Sequence, residues 1–286
     1  MIDKSKKILM IGLGLIGGSY ADALSYAGYE VGAIDTDGDA IEYALSRGII
    51  KSGKTEPTAE YVAAFDIAVF ALYPHIFTEW VENYQSYLKP GALLTDVTGV
   101  KGCIVYRIQD MLRPDVEFIG AHPMAGREKS GVRAATREIF KDANYIVTPT
   151  EKNTPEAVAE CEELGRTLGF SNIAVLSPEK HDEMIGFLSQ LTHCIAVALM
   201  TSRDTSSLAG YSGDSFRDLT RIAKINDVMW SELFLDNREE LLSQMSDFEA
   251  AFDRLKKTIA NGDRDGMREI MRRSTEQRIL FDKKEV

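Results

Sequence analysis

The chain has 286 residues, of which 44% are hydrophobic and 27% are charged, and its formal net charge at pH 7 is −11. These values fit a globular protein of one large or two modest domains, and the negative charge argues against nucleic acid or an anionic membrane as the main partner. The three cysteines are dispersed, so we expect neither a disulfide framework nor a metal site. The first residues show no targeting pattern, and we expect a cytoplasmic protein.

The first predicted strand, residues 8–11, leads into a glycine-rich turn followed by a helical pattern. In this Gly-x-Gly-x-x-Gly pattern, Gly12 permits a tight turn, Gly14 lets the backbone approach a pyrophosphate and Gly17 lets the helix pack closely on the strand. The helix that follows offers unpaired N–H groups to phosphates. The predicted cofactor-binding residues of this loop are Gly12, Leu13, Gly14, Leu15, Ile16 and Gly17.

A second predicted strand, residues 31–34, ends at Asp35. A carboxylate at this distance from the glycine loop accepts hydrogen bonds from a ribose 2′-hydroxyl and repels a 2′-phosphate. No arginine follows closely, so we predict NAD rather than NADP as the cofactor. The alternative is an ordinary strand-to-helix turn followed by a surface aspartate.

Strands and helices alternate as far as residue 176, which predicts an α/β fold with a Rossmann-like, doubly wound and mostly parallel sheet. The further predicted strands are 66–72, 92–95, 117–121, 144–147 and 173–176, and the predicted helices are 39–46, 76–88, 102–112 and 155–168. Ligands bind beyond the carboxyl ends of such strands. Gly12, Asp35, Asp96 and His122 all follow predicted strands, and Asp96 is a further candidate for cofactor binding.

From residue 177 onward the pattern is helical throughout, with predicted helices at 178–202, 216–224, 228–259 and 263–281. An all-α segment after a Rossmann-like half typically covers the cofactor cleft and often dimerises. We therefore predict two domains: an NAD-binding domain at residues 1–176 and a substrate-binding and dimerisation domain at residues 177–286.

His122 begins a glycine-rich loop after a predicted strand. A histidine with a pKa near 6.5 can take a hydroxyl proton near neutral pH while the neighbouring carbon loses hydride. We predict that His122 is a catalytic base, and the alternative is a structural loop histidine.

The first C-terminal helix carries small and polar residues at Asp182, Gly186, Ser189 and His193, which share one face of a regular helix. With Gln190 beside them, they indicate either a cavity or a close helix crossing. A histidine satisfied within the core is an equal alternative for His193. We expect His181 to make only local hydrogen bonds.

Arg217 and Arg221 lie four residues apart on a predicted helix. Two like charges at this spacing are unfavourable unless an anion sits between them, and the arginine fork suits a carboxylate. The charge pattern alone favours the alternative, a solvated face with Asp218 as the partner.

Several motifs together resemble the prephenate/arogenate dehydrogenases of tyrosine biosynthesis, and they occur in the family's order over residues 8 to about 235. The motifs are the glycine loop 12–19, Asp96-Val97-Thr98-Gly99-Val100-Lys101, His122-Pro123-Met124-Ala125-Gly126-x-Glu128-x-Ser130-Gly131, His181-Asp182, Gln190-Leu191-x-His193 and Phe216-Arg217-Asp218-x-Thr220-Arg221-Ile222-Ala223, followed by Met229-Trp230. The segment starting at His122 and the one starting at Phe216 are distinctive, whereas the glycine loop is not.

The resemblance implies an NAD-dependent oxidative decarboxylation, of prephenate to 4-hydroxyphenylpyruvate or of arogenate to tyrosine, by an intertwined homodimer without a metal. His122 matches the histidine that hydrogen-bonds the ring hydroxyl, and Arg221 matches the arginine that holds the ring carboxylate. The implied substrate-binding residues are Thr98, Glu128, Gln190, His193 and Arg217. The family often has serine at the position of Gly99, so Thr98 is the candidate for supplying a hydroxyl. The cationic groups favour prephenate, a dianion without an ammonium group.

Two rival functions share parts of this pattern. A β-hydroxyacid dehydrogenase would need a catalytic lysine on the first C-terminal helix, where this chain has Ser189, Gln190 and His193. An NAD-sensing regulator without enzymatic activity would leave His122 and Arg221 without a role.

Overall fold

The structure is a computed structural model that describes residues 2–127 and 129–282. Its contacts divide the chain into two compact units, Met1–Asn237 and Arg238–Val286. The boundary between these units, after Asn237, lies later than the predicted boundary at residue 176, because four of the C-terminal helices belong to the same unit as the sheet. The boundary at residue 176 stays a prediction.

In the part of the chain that the structure describes, the first unit contains one eight-stranded sheet. The strands are β1 (Lys7–Ile11), β2 (Glu30–Ile34), β3 (Ser52–Lys54), β4 (Ile67–Phe70), β5 (Leu93–Asp96), β6 (Glu117–Pro123), β7 (Asn144–Thr148) and β8 (Asn172–Val175). Their order is β3-β2-β1-β4-β5-β6-β7-β8. The strands from β3 to β6 are parallel, whereas β7 is antiparallel to β6 and parallel to β8. The strand order reverses between β1 and β4, which is where doubly wound sheets bind their ligands.

The helices of the first unit connect these strands and then extend beyond them. They are α1 (Leu15–Tyr26), α2 (Gly38–Ser46), α3 (Ala59–Val62), α4 (Pro74–Tyr84), α5 (Gly102–Met111), α6 (Pro155–Leu168), α7 (Pro178–Ile185), α8 (Thr192–Thr201), α9 (Asp214–Thr220) and α10 (Asp227–Asp236). The predicted α/β class and the mostly parallel sheet are confirmed.

The sheet is buried on both faces, as the apolar sequence of its central strand requires. In β1, Ile8 and Met10 belong to one hydrophobic core, while Leu9 and Ile11 belong to a second core. Successive side chains of a strand point to opposite faces, so these two cores lie on the two sides of the sheet. The two layers hold the strand ends rigidly at the edge where the candidate residues lie.

Three of the differences between the predicted and the observed elements affect the candidate site or the helical part. Strand β6 continues to Pro123, so His122 is part of the strand rather than of the loop after it. The predicted helix 178–202 contains a π-helical segment, Gly186–Leu191, between α7 and α8. The predicted helix 228–259 ends at Asp236 and a new helix starts at Arg238, with the buried Asn237 at the break.

The continuous helical run Pro178–Thr201 has a mean hydropathy of 1.6, and only 28% of its most apolar stretch is buried. By length and composition alone it could cross a membrane. A core or interface helix of a globular protein has the same properties, so this run by itself is weak support for a membrane span.

The second unit is a helical hairpin of α11 (Arg238–Ala260) and α12 (Arg264–Ile279), which pack on each other. Gly262 turns the chain between them with a φ of 63°, a conformation that glycine adopts without strain. The side chain of Asp263 then caps α12 by accepting a hydrogen bond from the backbone N–H of Gly266.

Candidate active site

The three glycines of the first loop are required for different reasons. A Cβ atom on Gly12 would lie 2.5 Å from the carbonyl oxygen of Ala71, and one on Gly17 would lie 2.0 Å from the carbonyl oxygen of Gly12. A Cβ atom on Gly14 would meet nothing within 4 Å. The fold therefore needs Gly12 and Gly17, whereas the space beside Gly14 is open to a ligand such as a pyrophosphate.

The carboxylate of Asp35 joins the end of β2 to this loop. Its Oδ2 accepts a hydrogen bond of 2.6 Å from the backbone N–H of Leu13, and its Oδ1 accepts one of 2.9 Å from Asp37. Each carboxylate oxygen has a further lone pair that a ribose hydroxyl can use. The side chain of Leu13 is buried in the core, and those of Leu15 and Ile16 are partly buried against it. The residues of this loop thus fit a dinucleotide.

Asp96, at the end of β5, forms a buried ion pair with Lys101. The Nζ atom of Lys101 lies 2.6 Å from Oδ2 of Asp96, and neither side chain has any exposed surface. Asp96 also accepts hydrogen bonds from the backbone N–H and the hydroxyl of Thr98 and from the backbone N–H of Ala121. Burial lowers the pKa of Lys101, against the attraction of Asp96.

This cluster contains two of the predicted ligand-binding residues. The hydroxyl of Thr98 lies within hydrogen-bond distance of Asp96, the carbonyl oxygen of Val100 and the Nζ atom of Lys101, and its contact with a substrate stays a prediction. The carboxylate of Asp96 is fully buried among internal donors, and its contact with the cofactor stays a prediction. The polar side chains after β5 point into the protein because they hydrogen-bond to one another. They are Asp96, Thr98 and Lys101.

His122 makes a side-chain contact that sequence reasoning missed. Its Nδ1 lies 2.8 Å from Nε2 of His181, and Nδ1 of His181 lies 2.7 Å from Oδ1 of Asp182. The carboxylate of Asp182 accepts two further bonds at the start of α5, from the backbone N–H groups of Lys101 and Gly102, at 2.9 and 2.7 Å. A chain of hydrogen bonds thus runs from His122 to the N-terminus of α5.

Both histidines in this series of hydrogen bonds, His122 and His181, favour their neutral forms. Burial lowers the pKa of His122 well below its ordinary value of 6.5, and His181 and Lys101 act in the same direction. Burial also lowers the pKa of His181, although its bond to Asp182 opposes the change. A neutral, half-buried imidazole at the end of a central strand can accept a proton.

Helix α10 lies close to the same strand edge. A Cβ atom on Gly99 would be 3.6 Å from Cδ1 of Leu233 and 4.0 Å from Cε1 of His122, so a side chain of α10 stands beside the catalytic candidate. The amide of Gln190 donates to the carbonyl oxygen of Leu233 at 2.8 Å and accepts from the amide of Asn237 at 2.7 Å. Gln190 is buried and joins α10 to the first C-terminal helices, and its contact with a substrate stays a prediction.

His193 and the arginines lie on the neighbouring helices. The ring of His193 packs against Trp230 with 3.8 Å between the ring centroids, and its Nδ1 lies 2.9 Å from the carbonyl oxygen of Ser189. Arg221 begins a short turn, Arg221–Ala223, that packs on α8, the helix of His193. Exposed Arg217 pairs with Asp214 and with the carbonyl oxygen of Ser212, rather than with Asp218.

The structure therefore brings His122, the cofactor loop and α10 to one edge of the sheet, with His193 and Arg221 on the helical side. Glu128 lies outside the described residues. His181 and Lys101 were not predicted as site residues. The sequence signal for His181 was its adjacency to Asp182 at a helix start, but its contact with His122 spans 59 residues and appears only in the fold.

Comparisons with known proteins match both halves of the chain. Residues 20–172 match the family described as prephenate dehydrogenase, nucleotide-binding domain, and residues 177–273 match prephenate dehydrogenase, dimerization domain. A prephenate dehydrogenase of Lactococcus lactis is 34% identical over 90% of this chain and 72% of its own length. A cyclohexadienyl dehydrogenase of Zymomonas mobilis is 28% identical over 96% of each protein. The crystal structure of prephenate dehydrogenase from Aquifex aeolicus, in complex with hydroxyphenyl propionate and NAD+, superposes with a TM-score of 0.89 at 30% identity. That alignment covers 99% of this chain and 100% of the other.

Proposed function

Because the chain belongs to the prephenate dehydrogenase family, we propose that it oxidises and decarboxylates prephenate to 4-hydroxyphenylpyruvate in tyrosine biosynthesis. It is an NAD-dependent oxidoreductase with a Rossmann-like cofactor domain. Family membership decides against the β-hydroxyacid dehydrogenase and the NAD-sensing regulator. The observation that carries the proposed chemistry is the neutral His122 at the end of β6, on the same sheet edge as the glycine loop.

His122 binds the ring hydroxyl of the substrate and accepts its proton. As the hydride leaves the carbinol carbon, positive charge develops there, and a base on the hydroxyl offsets it. The electron pair of the bond to the ring carboxylate enters the ring, carbon dioxide leaves and the ring becomes aromatic. The proton on His122 then returns to the ring oxygen, which gives the phenol of the product. NAD, when bound, accepts the hydride. The backbone beside the open space at Gly14 and the carboxylate of Asp35 would hold this cofactor.

Arg221 holds the ring carboxylate through its planar guanidinium group, and His193 lines the same pocket from α8. Arg221 belongs to a turn that packs on the helix of His193, which supports a shared role for the two residues. Arg217 and Glu128 complete the proposed substrate contacts. The cationic side chains of Arg217 and Arg221 favour prephenate over arogenate, because arogenate carries an ammonium group that an arginine repels.

We further propose that the protein is a cytoplasmic homodimer. Residues 177–273 match the dimerization domain of the family, and the apolar α8 buries only Ala196 within the chain. A second copy would cover the apolar surface of this helix without a membrane.

The proposed function is tested by comparing two substrates. NADH formation is followed with purified protein, NAD and either prephenate or arogenate at equal concentrations. We expect a higher kcat/KM with prephenate and formation of 4-hydroxyphenylpyruvate in proportion to NADH. A higher kcat/KM with arogenate would replace the proposed substrate, and no NADH with either would contradict the proposed reaction.

A further inference from the structure

The contacts of His122 define the direction of a hydrogen-bond chain. His122 bonds through Nδ1 to His181, and His181 bonds through its other nitrogen to Asp182. His181 has no exposed side-chain surface, and Asp182 is 7% exposed. Protein groups therefore set the protonation pattern of these two residues.

Asp182 acts as a hydrogen-bond acceptor in this chain. Its Oδ1 accepts the backbone N–H of Lys101 and its Oδ2 accepts the backbone N–H of Gly102, both at the start of α5. Backbone N–H groups can only donate, and the positive end of a helix stabilises a carboxylate. The third bond, from Nδ1 of His181, must then carry its hydrogen on the histidine.

This assignment fixes the remaining hydrogens in turn. A neutral imidazole has one N–H and one lone pair, so Nε2 of His181 is an acceptor. The hydrogen between the two histidines is then on Nδ1 of His122. Nε2 of His122 is left with the lone pair, which is the form that can take a proton from a hydroxyl.

We propose that His181 and Asp182 are positioning residues, which hold His122 in its Nδ1–H tautomer so that Nε2 can accept the hydroxyl proton of the substrate. This inference rests on the proposed function for its catalytic consequence. When the substrate O–H bond breaks and the proton moves to Nε2, the positive charge on His122 is shared through its Nδ1–H bond to His181. Asp182 then offsets this charge from the far end of the chain.

Two variants of His181 separate this role from simple packing. In His181→Asn the amide nitrogen can replace Nδ1 and keep the bond to Asp182, but no atom reaches His122. In His181→Gln the amide oxygen can replace Nε2 and accept the hydrogen of His122. His75→Asn is the matched control, because His75 also bonds a carboxylate, Glu232 at 2.8 Å, but is exposed and lies outside the chain of hydrogen bonds.

We expect His181→Asn to lower kcat by about 10²-fold with KM changed less than about threefold, because a base in the wrong tautomer binds substrate but cannot accept its proton. The kcat of His181→Gln should be at least about tenfold higher than that of His181→Asn. His75→Asn should keep the wild-type kcat. Equal losses in the asparagine and glutamine variants would overturn the proposal, since both remove the same ring.

The tautomer itself is measured by ¹⁵N NMR of the histidine rings in the substrate-free protein. The chain has four histidines, so single substitutions assign every ring signal. We expect wild-type His122 to carry hydrogen on Nδ1 and His181→Asn to release it to the Nε2–H tautomer. An Nε2–H tautomer of His122 in the wild-type protein would overturn the proposal. Because this readout needs no substrate, an Nδ1–H tautomer in a protein that does not oxidise prephenate would contradict the proposed function alone.

Discussion

Lys101 is the residue that holds the end of β5 in its shape. Its side chain lies wholly inside the protein, bonded to Asp96 and Thr98, while its backbone N–H is bonded to Asp182. The ion pair and the start of α5 are therefore built on the same residue. The loop between β5 and α5 passes beside His122 at Gly99, so this buried pair supports the proposed catalytic edge.

We predict that Lys101→Ala lowers the free energy of unfolding by about 3–5 kcal/mol, because it leaves the Asp96 carboxylate buried without its cation. The control is Lys89→Ala, which removes an ion pair with Asp66 in which Lys89 is about half exposed. An exposed pair contributes about 0–1 kcal/mol. Denaturation with urea measures both values, and similar losses in the two variants would contradict a structural role for the buried pair.

The lowered pKa of His122 predicts how activity depends on pH. Burial, with His181 and Lys101 nearby, disfavours the imidazolium form, so the neutral base persists below the ordinary pKa of 6.5. The kcat/KM for the proposed substrate should stay constant as the pH falls to 6.5 and decrease only below it. A profile of kcat/KM against pH reports groups of the free enzyme. A half-maximal value at or above pH 6.5 would contradict the neutral environment of His122.

The position of His122 could be predicted, because the end of a strand lies at the ligand-binding edge of the sheet. The inward roles of Thr98, Asp96 and Gln190 could not be predicted. Each is a polar residue near a functional motif, and the sequence does not indicate whether its partner will be a ligand or a buried group of the protein. The structure supplies those partners, Lys101 for the first two and Asn237 for Gln190.

At the scale of elements, the glycine loop joins β1 to α1. Close packing of the backbone requires Gly17, whereas the proposed ligand requires the open space beside Gly14. We predict that Gly17→Ala destabilises the fold by about 1–3 kcal/mol, because its Cβ would lie 2.0 Å from the carbonyl oxygen of Gly12. Gly14 has φ −68° and ψ −162°, which alanine can adopt, and its surroundings are open. Gly14→Ala should keep the unfolding temperature but weaken NAD binding by at least about tenfold.

Thermal unfolding and titration with NAD measure the two effects on the same samples. The pair serves as its own control, since both variants add one methyl group to the same loop. If Gly14→Ala bound NAD as tightly as the wild type, the open space beside Gly14 would not be the place of the pyrophosphate.

The polar stripe of the first C-terminal helix shows why periodicity failed there. The prediction assumed 3.6 residues per turn, but the π-helical segment Gly186–Leu191 has wider turns and changes the direction of each later side chain. Gln190, inside this segment, contacts α10, and His193, after it, packs on Trp230. Asp182 precedes the segment and caps α5. Helix type and length were predictable from composition, whereas a single widened turn was not.

The predicted helix 228–259 was wrong for a related reason. Asn237 interrupts it, and its amide donates to the carbonyl oxygen of Asp182 and to Gln190. A buried amide with two partners stabilises the break between α10 and α11. The hydrophobic pattern continues through this position, so it contains no signal for the break.

At the scale of the whole molecule, the sheet was the most predictable part. Its central strands are short apolar runs between turn signals, and burial on both faces leaves them no other arrangement. The antiparallel direction of β7 was not predicted. The described residues between β6 and β7 form only short 3₁₀ turns, whereas a parallel neighbour usually needs a crossover helix.

We predict that the protein is a soluble homodimer with a mass twice that of the 31.8 kDa chain. The helical part exposes apolar residues, and we expect a second copy of the chain to bury them. They include Phe187, Leu219, Val228 and Leu235. Light scattering coupled to size exclusion, without detergent, measures this mass. A 31.8 kDa species, or a protein that requires detergent, would contradict the proposed dimer.

The most direct test of the catalytic account is the steady-state rate of His122→Asn with prephenate and NAD. Asparagine keeps a polar side chain in β6 but has no basic nitrogen, so hydride transfer loses its proton acceptor. We expect kcat to fall by about 10²–10⁴-fold, with an unchanged dissociation constant for NAD and an unchanged unfolding temperature. A variant that turns over prephenate at the wild-type rate would contradict the role of His122.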